Sequence, residues 1–104
     1  MEQIEFSVPA RCDLTKAAVL IERVCAAHGL HAARKGTLAT VPGSIHWHYK
    51  KSNQKGTLEL TLLPSERRIW AAIHTNRQAP WIEEALIKVR ADIERALKGT
   101  ADRS

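Results

Sequence analysis

Ser44-Ile45-His46-Trp47-His48-Tyr49-Lys50 alternates apolar and polar side chains without a break. After the polar run Lys51-Ser52-Asn53-Gln54-Lys55-Gly56, the alternation resumes in Thr57-Leu58-Glu59-Leu60-Thr61-Leu62. A period of two marks a strand with one buried face. Two such runs joined by a short polar loop form an antiparallel hairpin. The register follows from the pattern, because a slip of one residue would send the leucines to solvent. Tyr49 should therefore oppose Leu58, and Trp47 should oppose Leu60. On the other face His48 should oppose Glu59, and His46 should oppose Thr61.

Pro64-Ser65-Glu66-Arg67 is a turn. It leads into a third strand, Arg68 to His74, with Ile69, Ala71 and Ile73 on the apolar face. With Leu62 opposite Ile69, the polar face becomes three rows: His46–Thr61–Trp70, His48–Glu59–Ala72 and Lys50–Thr57–His74.

Outward from this meander, Ile4, Phe6 and Val8 alternate with Gln3, Glu5 and Ser7, a short strand that Pro9 ends. Asp13 is an N-cap. Behind it Leu14, Ala17, Ala18, Ile21, Val24, Cys25 and His28 recur at helical steps, with Gly29 as the stop. Residues 31 to 43 carry little pattern, and Thr37 to Val41 is the part that suits a strand. Pro80 opens a last helix, whose stripe is Ile82, Leu86, Val89, Ile93 and Leu97. Gly99 is expected to end it. The expectation is an α+β two-layer sandwich in the order β-α-(β)-β-β-β-α. An antiparallel sheet of about four strands carries both amphipathic helices on one face, which buries every stripe at once. Residues 1–98 form a single domain in this reading, and 99–104 a flexible tail.

The bulk properties narrow the function classes. The chain has 104 residues, and its 44% hydrophobic and 26% charged residues are ordinary for a folded domain. A chain of this size has little room for a deep cleft between lobes. Two cysteines, Cys12 and Cys25, are too few for a disulfide scaffold. No signal peptide and no apolar run of about 20 residues is present, so no membrane is expected and the cytoplasm is the expected location. The formal charge of +5 favours anionic partners.

The open face is where function is sought, through His46, His48, Glu59, Trp70 and His74. His46 and His48 stand roughly 7 Å apart along the strand, and with Glu59 they have the chemistry of a zinc site. His74, two strands from that pair, looks too remote to join. A His-x-His pair on a strand is common without a metal, so no metal and no cofactor is assigned, and a His48–Glu59 cross-strand pair is the plain expectation. Lys50, Asn76 and Arg77 converge near the start of the last helix and suggest an anion site. Trp70 and Ala72 on an open face suggest a homodimer surface. The reading is a small non-enzymatic binding module, possessing an open His/Trp face and a basic end suited to a small anionic ligand. The competing readings are a single-stranded nucleic-acid-binding domain, with Trp70 for stacking, and a small His48/Glu59-dependent or metal-dependent enzyme. No phosphate loop, nucleophile elbow, CxxC or HExxH motif is present.

Overall fold

The computed structural model describes residues 2–102, apart from the side chains of Arg77 and Asp102. The chain forms β1 (Glu2–Glu5), α1 (Ala17–Ala27), β2 (Leu30–Gly36), β3 (Ile45–Lys51), β4 (Leu58–Leu63), β5 (Arg68–Ile73) and α2 (Pro80–Asp102). It is an α+β fold with a five-stranded antiparallel sheet in the order β1-β5-β4-β3-β2. The sheet has one strand more than the pattern suggested.

The central meander forms as the alternation requires. Trp47 pairs with Leu60, Tyr49 with Leu58, His48 with Glu59 and His46 with Thr61. Across the next ladder Leu62 pairs with Ile69, Thr61 with Trp70 and Glu59 with Ala72. Trp47, Leu58, Leu60, Leu62, Ile69 and Ala71 are all buried, and they share one core with Ile21 and Cys25 of α1 and Val89, Ile93 and Leu97 of α2. Both helices therefore cover the same face. Trp47 is fully buried, and its indole N–H donates to Glu22 of α1 at 3.0 Å. Trp81, at the start of α2, fastens the β3–β4 loop by donating to the Lys55 carbonyl at 2.7 Å. The helices are tied to each other by His28, whose Nε2 lies 2.6 Å from the Asp92 carboxylate.

The elements differ from expectation at four places, the first being β1, which ends at Glu5 and not at Pro9. Asp13 caps a 3-10 turn over Leu14–Lys16, accepting from the Thr15 amide at 2.9 Å, and the α-helix proper begins at Ala17. The strand sought at Thr37 to Val41 lies earlier, at Leu30–Gly36. Only Leu30 of that strand is buried, so this edge strand carries no apolar alternation. Gly99 does not end α2, which runs on to Asp102. A glycine costs a helix only about 1 kcal/mol. Thr100 beyond it donates to the Leu97 carbonyl at 2.7 Å.

Residues 37–44 connect β2 to β3. The Leu38 amide donates to the Ser44 hydroxyl at 3.2 Å, and Ser44 is itself buried. No helix among the described residues is long and apolar enough to cross a membrane.

Candidate functional site

Glu59 is the centre of the polar face. It stands on β4, flanked by β3 on one side and β5 on the other. Its side chain is only 7% exposed. A carboxylate buried to that degree needs partners, and histidines from both neighbouring strands supply them. His46 Nε2 lies 2.9 Å from Oε1, and His48 Nε2 lies 3.6 Å from the same oxygen. His74 Nε2 lies 3.0 Å from Oε2.

The expected His48–Glu59 pair exists, but it is the longest of the three contacts. His46, diagonal to Glu59 in the ladder, makes the shorter one. Diagonal neighbours on a sheet face lie within reach of long side chains. The same geometry corrects the exclusion of His74. That residue is two strands from His46 and His48, but Glu59 occupies the strand between and bridges the distance with its second oxygen.

The hydrogen bonds around His46 fix its ring. Nδ1 lies 2.7 Å from the Thr61 hydroxyl, and Nε2 faces Glu59. If Nε2–H donates to the carboxylate, the Thr61 hydroxyl donates to Nδ1; if Nδ1–H donates to the hydroxyl oxygen, Nε2 presents its lone pair. Thr61 is 1% exposed, so it cannot turn to water instead. The His46 and His48 rings meet edge to face, with centroids 5.0 Å apart.

A cavity of about 630 Å³ opens over this cluster. Its walls include Arg34, Leu38, His46, His48, His74 and Asn76, with Glu59 among them. Arg34 was missed in the sequence, for a geometric reason. β2 runs opposite β3 with Ala32 against Tyr49, and then with Arg34 against His48, so Ala33 is an extra residue in the ladder. A bulge of this kind exchanges the faces of everything beyond it. It turns Arg34 to the histidine face and Lys35 to the helix face. There Lys35 pairs with Glu22 at 2.8 Å and lies over the Trp47 ring. The Lys35 ammonium first, and then the Trp47 indole N–H, hold the Glu22 carboxyl below its usual range. Arg34 itself has no ion pair among the described residues. Nothing in the sequence near Ala33 marks a bulge, so periodicity could not have found Arg34.

The other candidate residues distribute unevenly. Asn76 lines the cavity, while Lys50 on β3 is not among its walls. Arg77 belongs to a short 3-10 turn, and its side chain lies outside the described residues. Trp70 does face the histidine side of the sheet, but it is only 8% exposed. The Arg68 guanidinium lies 4.5 Å over its ring, and Arg68 is held there by two bonds to Glu5 at 3.0 and 2.9 Å. Ala72 is also buried. Trp70 and Ala72 are thus both largely buried within a single chain.

The chain matches no protein-family model, no curated protein and no solved structure, which leaves the chemistry of the cavity as the ground for a function.

Proposed function

We propose that the protein is a small binding module that holds a small anionic ligand in the cavity above Glu59. The observation that carries this reading is the placement of Arg34. An arginine with no ion-pair partner among the described residues lines a cavity whose other walls carry His46, His48, His74 and Asn76. One carboxylate, Glu59, faces these groups, and it is engaged by the histidines. A planar guanidinium offers several donors in a fork that suits carboxylate, sulfate and phosphate. The cavity volume falls in the range that small ligands use.

The test is a thermal-shift series in the presence of EDTA. Sulfate or phosphate should raise the unfolding midpoint beyond chloride at equal ionic strength, because a ligand bound only by the folded state stabilises it. Sulfate also stabilises proteins by exclusion from their surfaces, so Arg34→Ala is the control. The difference between sulfate and chloride should shrink to that general effect in the variant. Equal responses of the parent and Arg34→Ala would overturn the reading.

A further inference from the structure

We propose that His46, His48 and Glu59 form a site for a divalent transition-metal ion, with a coordination position open to the cavity. The inference stands on the cluster's own geometry and not on the anion reading, although the open position faces the space where the anion would sit.

One ligand atom from each of the three residues lies within 4.8 Å of the other two. Metal–ligand bonds of about 2.0–2.1 Å in a tetrahedron place the ligand atoms roughly 3.4 Å apart. The two contacts to Glu59 Oε1, 2.9 and 3.6 Å, fall on either side of that spacing. A cation would open the first by about half an ångström on this geometry, and the second already fits. The side chains are 12%, 20% and 7% exposed, so few waters compete for the ligands. Two imidazoles and one carboxylate are a donor set that zinc accepts with a position left open, and that ferrous iron also accepts.

The surroundings hold the ligands as a metal centre requires. Metal-bound histidines usually donate the other ring N–H to a fixed acceptor, which sets the tautomer and the ring plane. Thr61 is placed to do this for His46, at 2.7 Å from Nδ1. With Nδ1–H donated to the hydroxyl oxygen, Nε2 presents its lone pair toward the centre of the cluster. His74 does the corresponding task for the carboxylate. It engages Oε2 at 3.0 Å, while His46 and His48 face Oε1. Binding displaces the N–H···O contact between His46 Nε2 and Glu59. Any proton carried between those atoms goes to solvent on binding.

The test uses the full chain without an affinity tag, stripped with EDTA and dialysed. Cobalt(II) should be taken up at one equivalent, with visible absorption bands of a low-symmetry, four- or five-coordinate site. Zinc should abolish those bands by competition. His48→Asn should lower cobalt affinity at least tenfold. Thr61→Val keeps the shape of the side chain and no metal ligand is lost, yet it should lower affinity about 10- to 100-fold as an outer-shell change. Having two variants guards against a folding defect in either, and circular dichroism checks both. His28→Asn, remote from the site, should leave uptake unchanged. No saturable cobalt uptake up to millimolar concentration would overturn the proposal. Uptake that persists undiminished in both His48→Asn and Thr61→Val would also overturn it. The anion reading is scored separately by its series in EDTA, so either can fail without the other.

Discussion

Replacing Tyr49 by Phe should make the protein more stable. The Tyr49 side chain lies under the helices, stacked on Trp47 at a centroid distance of 6.4 Å. Its hydroxyl is buried and has no hydrogen-bond partner among the described residues. Burial, with the neighbouring Cys25 thiol second, pushes its pKa well above the usual phenol range. Leaving a hydroxyl buried and unbonded costs about 1–3 kcal/mol. Removing the oxygen forfeits a handful of dispersion contacts at about 0.1–0.2 kcal/mol each, and opens no space large enough for water. The net expectation is a gain of about 1 kcal/mol. For a chain near 100 residues that moves the thermal midpoint upward by about 4–8 °C. Urea unfolding followed by tryptophan fluorescence reads the same quantity, and an unchanged slope would confirm that the folded state alone is affected. A loss of 1 kcal/mol or more would refute the reasoning, because it would mean that the hydroxyl holds a real bond. Cys25→Ala in a double-mutant cycle would then locate that bond, since a shared interaction makes the two changes non-additive.

Three further outcomes follow from the same packing. The hydrogen bond from His28 holds the Asp92 carboxyl below its usual range. Its contribution is therefore present above the ordinary carboxyl pKa of about 4 and is lost as pH falls through the lowered value. Asp92→Asn should be less stable than the parent at neutral pH, and the two melting curves should converge in acid; a constant gap down to pH 2 would contradict this. The Cys25 thiol is fully buried, and burial pushes its pKa up to about 12. Alkylating reagents should reach it only as fast as the protein unfolds, and rapid modification of Cys25 in native buffer would count against the packing of α1. Trp47→Phe deletes the indole bond to Glu22 and leaves a void in the core, at a cost of about 2 kcal/mol. A shift in urea midpoint worth less than about 0.5 kcal/mol would mean that this bond and this packing matter little.

Much of the site was legible because its register was. The alternation from Ser44 to Leu62 is set by burial of Trp47, Tyr49 and the leucines, so the outward partners of those residues follow without any knowledge of the tertiary fold. His46, His48 and Glu59 were placed on one face for that reason. What alternation does not encode is how far a side chain leans. Glu59 reaches diagonally to His46 and His74 more closely than directly to His48, and only the assembled sheet settles that choice. Trp70 was placed on the correct face but with the wrong exposure, because its cover comes from Arg68 and Glu5, the latter on a strand that pairs with β5 across more than 60 residues.

The sequence by itself determined the two helical stripes, the three central strands, their register and the face on which the histidines stand. Each of these is a local consequence of burying apolar side chains at a period of two or 3.6. The tertiary structure alone decided that β1 joins β5 and that β2 closes the other edge. It also decided that Ala33 bulges, so that Arg34 rather than Lys35 meets the histidines. Edge strands are held by backbone bonds along one side, and those bonds are the same for every residue type. An apolar rhythm can mark such a strand, as Ile4, Phe6 and Val8 do, but it names neither the strand's partner nor a bulge.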